Sequence, residues 1–127
     1  MEARTLGLVA LGSAVGGVAR YLAQGWATRG DFPLGTLLVN GLGCFAIGVV
    51  VFGGLAGGWL SPGARVFVAI GLLGGFTTMS AFGYETISFV AEGAFRSAAL
   101  YVGATLALAL VGTWLGRAVG VAVWGGS

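Results

Sequence analysis

The chain has 127 residues, of which 57% are hydrophobic and only 8% are charged, against about 25% charged in an ordinary soluble domain. This composition argues against a water-soluble protein and predicts a single membrane domain over residues 1–127, surrounded by lipid. The chain has no histidine and one cysteine, which excludes a His-based catalytic triad, a His/Cys metal site and an internal disulfide. Its net charge of only +2 argues against a nucleic-acid surface. We expect no enzyme.

The first predicted helix spans residues 4–27. Its early charge and apolar run resemble a signal peptide, but no convincing cleavage site follows, so we predict a retained helix. Arg20 lies inside it and can either snorkel to the interface or draw anions into a vestibule. Gly12 and Gly16, one turn apart, predict a face for close helix packing.

The second predicted helix spans residues 34–57, after a break at Gly30-Asp31-Phe32-Pro33. Asn40 is a polar side chain within an apolar span. It can bond to a neighbouring helix or present its amide N–H groups to a pathway. Cys44 is predicted to be a packing residue.

The third predicted helix spans residues 64–91 and contains the stretch "GGFTTMSAF" at 74–82. Glycine weakens a helix, and the Thr and Ser side chains compete for backbone hydrogen bonds. Two interpretations remain open. The helix is broken at membrane depth, so that its carbonyls can bind a small cation and its hydroxyls an anion, or it is continuous and flexible.

Beyond this stretch, Met79, Phe82 and Glu85 recur every three residues and share one helix face. An apolar stripe usually packs in the core. A glutamate within it is costly in a membrane, however, and therefore indicates function.

The fourth predicted helix spans residues 95–121. Tyr101 and Thr105, one turn apart, can add hydroxyls to a pathway. Small residues also recur on this helix, at Gly112, Gly116 and Gly120. Four helices can hardly enclose a pore, so we expect an oligomer, and the glycine faces can pack either between chains or within one.

The arginines give little topological bias. Four spans put Arg4, Arg65 and Arg117 on one side and Arg29 and Arg96 on the other, with Arg20 near the second group. The positive-inside rule needs an excess on one side. A chain without that excess can insert both ways, and oppositely inserted copies can pair antiparallel.

Three motifs carry a resemblance to a known family. "GGFTTMSAFGYE" from residue 74 resembles the GG-x-TT-F-S-T-F signature of the Fluc fluoride channels, also called CrcB proteins. "GTLLVNGLGCFAIG" at 35–48 is similar to that family's second-helix motif, and "GGVARY" at 16–21 resembles its first-helix arginine motif. The three motifs stand in the family's order.

The resemblance implies an all-α membrane protein with four transmembrane helices, the third broken mid-membrane. It implies an antiparallel, dual-topology homodimer in the inner membrane, with two pores that conduct fluoride passively. A structural sodium ion on the dimer axis would be held by the carbonyls of Gly74 and Thr77. The resemblance and the hydroxyl pattern together assign the anion pathway to Arg20, Asn40, Met79, Ser80, Phe82, Glu85, Tyr101 and Thr105.

This sequence departs from the family motif at two positions. The first pore phenylalanine is Met79, whose side chain is polarizable but more flexible than a ring. The threonine before Phe82 is Ala81, which removes one hydroxyl.

Two other classes of protein fit the composition. A small dual-topology multidrug exporter needs an acidic residue within its first helix, where this chain has only Arg20. A non-transporting membrane assembly subunit would explain the glycines but not the glutamate in the stripe.

Overall fold

The computed structural model describes residues 2–125, and within them the chain is helical with short connecting turns and no strand. Four helices are long and apolar enough to span a membrane: α1 (Ala3–Ala27), α2 (Leu34–Gly57), α3 (Pro62–Ala91) and α4 (Phe95–Trp124). The predicted four-span all-α fold is confirmed. The fourth helix continues to Trp124 rather than ending near residue 121.

The turns between helices follow from their local chemistry. Gly58 ends α2 with φ of 67° and Gly93 precedes α4 with φ of 74°, a left-handed backbone that side chains disfavour. The Ser61 hydroxyl accepts a hydrogen bond from the Ala64 N–H at 3.2 Å, and Pro62 occupies the first turn of α3. Both features are typical of a helix N-terminus.

Helix α1 packs closely against the first half of α3. A Cβ atom on Gly12 would lie 2.5 Å from the Phe67 carbonyl oxygen, and one on Gly75 would lie 2.7 Å from the Ser13 carbonyl oxygen. A Cβ on Gly16 would lie closer still to the Leu72 carbonyl oxygen. These backbones touch because the glycines lack side chains.

Helix α2 packs against α4 in the same way. A Cβ on Gly120 would lie 2.7 Å from the Val49 carbonyl oxygen, and one on Gly53 would lie 2.9 Å from the Gly120 Cα. Gly116 is close to the Phe45 carbonyl. The glycine faces of Gly12, Gly16, Gly53, Gly116 and Gly120 are therefore occupied within one chain, and they do not indicate a dimer.

Two stretches of π-helix lie within these contacting parts of α2 and α3. One covers Gly48–Phe52 of α2 and the other Arg65–Leu73 of α3. A π turn shifts the register of the side chains that follow it and is common near functional sites. The sequence pattern did not predict either stretch.

Helix α3 is broken near its middle, at Thr77 and Thr78. Both residues have extended backbones, with φ and ψ of −85° and 157° for Thr77 and −149° and 114° for Thr78. We call the two parts α3a (62–76) and α3b (Met79–Ala91). The break implied by the family resemblance is present, but the glycines before it stay helical. Gly71 and Gly75 pack against α1, while the two threonines form the break itself.

Candidate functional site at the helix break

Asn40 of α2 holds the break open through a pair of hydrogen bonds to one residue. The Thr78 backbone N–H donates to Asn40 Oδ1 at 2.7 Å, and Asn40 Nδ2 donates to the Thr78 carbonyl at 3.0 Å. Thr78 thereby obtains from a side chain the partners that a continuous helix would supply. An extended backbone deep in an apolar span needs such partners, because water is absent there.

The threonine side chains complete the two helix ends at the break. The Thr78 hydroxyl accepts a hydrogen bond from the Ala81 N–H at 3.2 Å, which caps the N-terminus of α3b. The Thr77 hydroxyl donates to the Leu73 carbonyl at 3.2 Å, which occupies a carbonyl in the last turn of α3a. Thr78 therefore caps α3b, while the Thr77 hydroxyl adds a second hydrogen bond to a carbonyl that already accepts the Thr77 N–H.

A cleft of about 180 Å³ lies against the break, between α2, α3b and α4. It brings together four side chains that the sequence assigned to a pathway, from three different helices. These are Asn40, Met79, Phe82 and Thr105, and the rest of the wall is formed by Cys44, Thr77, Thr78 and Ala109.

Thr105 is the residue of this cleft whose buried side-chain hydroxyl lacks a hydrogen-bond partner in the described part of the chain. Its side chain is only 8% exposed, and its hydroxyl has no hydrogen-bond partner among residues 2–125. Buried polar atoms are nearly always bonded. The Thr105 hydroxyl thus lies beside the cleft with an unused capacity to donate a hydrogen bond.

Glu85 lies one turn beyond Phe82 and has donors on both carboxylate oxygens. The Thr36 hydroxyl donates to Oε1 at 2.7 Å, and the Tyr101 hydroxyl donates to Oε2. Gln24 Nε2 in turn donates to the Thr36 hydroxyl at 3.0 Å. The Gln24–Thr36–Glu85–Tyr101 chain of hydrogen bonds joins all four helices.

Aromatic rings enclose Tyr101, which is completely buried. The ring centroid of Phe82 lies 5.4 Å from that of Tyr101, Phe32 lies at 5.7 Å and Phe89 at 6.2 Å. These distances are typical of tilted and edge-to-face packing. Phe82 therefore connects the cleft at the break with the glutamate beyond it.

Glu85 also lines two larger cavities outside the cleft. One has a volume of about 570 Å³ and we call it the vestibule; it is lined by Tyr21, Leu22, Gln24, Gly25, Thr28, Thr36 and Glu85. The other, of about 270 Å³, is lined by Asp31, Pro33, Tyr84, Glu85, Ser88, Phe89 and Glu92. Glu85 consequently borders open space on two sides.

Arg20 does not extend away from the bundle. Its Nε donates to the Gly75 carbonyl at 3.0 Å, at the carbonyl end of α3a, and its side chain is half-buried. A cation is favourable there because the C-terminus of a helix carries partial negative charge. Arg20 therefore places a positive charge next to the break.

The remaining predicted residues lie on the outer side of the break. Met79 is 76% exposed although it also borders the cleft. Ser80 is exposed, with its hydroxyl 3.3 Å from that of Thr78. Gly74 is exposed too, and a Cβ added to it would meet only the Ala69 carbonyl oxygen, at 3.9 Å. The backbone around the break is thus open on this side of the single chain.

Three residues at the site were missed by the sequence analysis. Thr36 precedes Asn40 by one helical turn, and this i, i+4 spacing was a usable signal. Thr78 belonged to the loosened stretch but was not singled out as the residue that Asn40 holds. Gln24 gave no signal, because only the packing of α1 beside α2 brings it to Thr36.

Comparison with known proteins matches residues 7–117 to the family described as "CrcB-like protein, Camphor Resistance (CrcB)". A protein of Geobacter sulfurreducens is 48% identical over 115 residues, which cover 88% of this chain and 93% of that protein. A protein of Anaeromyxobacter sp. is 46% identical over 107 residues, covering 82% and 85%. One of Thermus thermophilus is 43% identical over 121 residues, covering 93% and 94%. Each of the three is named "Fluoride-specific ion channel FluC".

Proposed function

We infer that this chain, which belongs to the CrcB-like family, is a fluoride-specific ion channel and a multi-pass protein of the inner membrane. It is a channel and not an enzyme. The observation that carries the assignment is the coverage of the family match, which includes the break in α3 and the Asn40 motif that holds it.

We propose that fluoride passes the break through the cleft beside Asn40. Fluoride is small and strongly hydrated, so a path must replace its water with close donors. Asn40 uses one amide hydrogen on Thr78 and has a second. The Thr105 hydroxyl is buried without a partner in the described chain, and the edge of the Phe82 ring is positively polarised. These groups border one cleft, which supports a path there.

Arg20, Glu85 and Tyr101 contribute around this cleft in different ways. Arg20 supplies a positive charge at the break, which would attract an anion towards it. Tyr101 and Glu85 stand beyond the Phe82 ring. We propose that they border the path between cleft and vestibule, while Met79 and Ser80 line it from the open side.

We propose that two chains pair as an antiparallel homodimer with two pores. An irregular backbone at membrane depth must be shielded from lipid by protein or by water in a cavity. On one side of the break Gly74, Met79 and Ser80 are exposed in the single chain, so a second chain is the natural cover. The even distribution of arginines between the two ends supports insertion in both directions.

We further propose that a structural sodium ion lies on the dimer axis, held by the carbonyls of Gly74 and Thr77. Sodium prefers oxygen ligands, and backbone carbonyls freed by a broken helix are such ligands in membrane proteins. Gly74 is exposed with open space beside it, and Thr77 has an extended backbone. The residues present therefore suit a carbonyl-bound cation between two chains, where it would join the two breaks.

Gly74→Leu is expected to abolish dimerisation and fluoride release while leaving the protomer folded. Within one chain an added Cβ meets nothing closer than 3.9 Å. The leucine side chain should therefore clash with the partner chain and the cation site, and not with its own protomer. The measurement is elution in detergent together with fluoride release from proteoliposomes, each with sodium or with a large organic cation. Gly7→Leu is the matched control, because Gly7 also has nothing within 4 Å. A Gly74→Leu dimer with normal flux and unchanged sodium dependence would refute the carbonyl site.

Phe82→Ile is expected to lower the rate of fluoride release by roughly tenfold. The change keeps an apolar side chain but removes the polarised ring edge, and a tenfold fall corresponds to about 1.4 kcal/mol of the barrier. Release from proteoliposomes measures it, with Phe95→Ile as control because Phe95 is 67% exposed at the start of α4. Parent-like release by a well-folded Phe82→Ile protein would show that the ring only packs against Tyr101.

Growth of bacteria that lack a fluoride exporter tests the assignment in cells. Expression of the chain should restore growth in fluoride and leave sensitivity to a quaternary ammonium cation unchanged. Protection against the organic cation but not against fluoride would instead indicate a small multidrug exporter.

A further inference from the structure

Gln24 lies near the end of α1, lines the vestibule and is connected to Glu85 through the Thr36 hydroxyl. Its Nε2 lies 3.0 Å from the Thr36 hydroxyl, which lies 2.7 Å from Glu85 Oε1. On the far side of the carboxylate, the Tyr101 hydroxyl donates to Oε2. Gln24 is thus the first donor in a series of hydrogen bonds that ends at a membrane carboxylate.

The direction of these hydrogen bonds follows from counting hydrogens. A threonine hydroxyl has one hydrogen and an ionised carboxylate has none. Thr36 must therefore give its hydrogen to Glu85, and its lone pairs must accept from the Gln24 amide. If the Gln24 carbonyl faced Thr36 instead, it would compete for the same hydrogen and leave Glu85 Oε1 opposite a lone pair.

We propose that Gln24 is a positioning residue of the anion pathway, which directs the Thr36 hydrogen to Glu85 so that both carboxylate oxygens are bound by donors. This inference rests on the proposed fluoride channel. It adds a role for the end of α1, outside every motif that carried the family resemblance.

Binding of both oxygens matters because Glu85 borders open space on two sides. It lines the vestibule together with Gln24 and Thr36, and it lines the cavity that includes Asp31 and Glu92. A carboxylate released from Thr36 is free to turn into either space, where its charge would repel an approaching anion. Donors on both oxygens hold the group against α2 and α4 and reduce the charge that it presents.

The test compares Gln24→Leu in three backgrounds by fluoride release from proteoliposomes. In the parent background the rate should fall about tenfold, which corresponds to about 1.4 kcal/mol. In a Thr36→Val background the same change should have no further effect, because the hydroxyl through which Gln24 acts is gone. In a Glu85→Gln background it should also have no effect, because no charge remains to be held.

A purely structural role for Gln24 predicts a different result. The four helices are joined by this network, so loss of packing would lower thermal stability and flux by similar factors in all three backgrounds. Melting temperatures in detergent are therefore measured beside the rates, with Trp26→Leu as control because Trp26 is 76% exposed on the same helix. Gln24→Met, which keeps the length of the side chain, replaces Gln24→Leu if that variant does not elute as a folded protein.

The outcomes separate this inference from the function on which it rests. Gln24→Leu with parent-like release, or with the same loss in all three backgrounds, would overturn the positioning role while the channel stands. A parent that releases no fluoride above protein-free liposomes would overturn both.

Discussion

Asn40→Asp is expected to reduce fluoride release by roughly a thousandfold. The introduced carboxylate stands where we propose that the anion passes, and two like charges 4 Å apart at an effective dielectric of about 20 repel by roughly 4 kcal/mol. The substitution also loses the donor that holds the Thr78 carbonyl at 3.0 Å. It keeps an oxygen that can accept from the Thr78 N–H, which is bonded at 2.7 Å in the parent.

Asn40→Ala separates the two effects. It removes both hydrogen bonds to Thr78 without adding charge, so it should lower the melting temperature more than Asn40→Asp and reduce the flux less. Rates are measured in proteoliposomes and folding by elution in detergent. If Asn40→Asp folds and conducts like the parent, the path does not pass this amide and Asn40 serves only to hold the break.

Locking the chain in one orientation is expected to abolish flux completely, and mixing the two orientations should restore it. Glu2→Lys with Ala3→Lys adds positive charge at one end of the bundle, and Asp31→Lys with Glu92→Lys adds it at the other. Lysine and arginine near the ends of spans set the direction of insertion. Each double variant should therefore insert one way only and find no antiparallel partner.

Co-expression of the two locked variants supplies both orientations and should return fluoride tolerance to the host cell. The matched control is Glu2→Lys with Glu92→Lys, which adds one charge at each end, leaves the bias unchanged and should remain active. Full activity from a single locked variant would contradict the antiparallel dimer, since all copies would then point the same way.

The positions of the helices were predictable from local chemistry, whereas local chemistry left a broken and a continuous third helix both open, and the family resemblance implied the break. Long apolar stretches separated by Gly, Pro and charged residues define the spans. The Thr77-Thr78 pair after two glycines indicates a weakened helix. The predicted cause was only partly right. Gly71 and Gly75 lie against α1 and remain helical, while Asn40 supplies the bonds that the threonine backbone has lost.

The role of the glycine faces could not be decided from the sequence. Small residues one turn apart suit contact with any helix, whether of the same chain or of another. The fold places Gly16 against Leu72 and Gly116 against Phe45, so these faces build the protomer. The exposed side of the break, around Gly74, is instead the surface for which we propose a partner chain.

The hydrogen-bond network around Glu85 was also beyond prediction. It takes Gln24, Thr36 and Tyr101 from three other helices, and the spacing of residues along one helix contains no information on which helix lies beside it. The position of Glu85 in an apolar stripe with Met79 and Phe82 indicated only that the glutamate has a functional role. The structure adds that both its oxygens are bound by hydroxyl groups.

Release of fluoride and of chloride from the same proteoliposomes tests the central claim most directly. The purified chain is reconstituted with potassium salts of both anions. A potassium ionophore is added so that potassium leaves together with the anion and its charge does not stop the passive flow. We predict rapid release of fluoride while chloride stays at the level of protein-free liposomes. Equal release of both anions, or no release of fluoride above that level, would contradict a fluoride-specific channel.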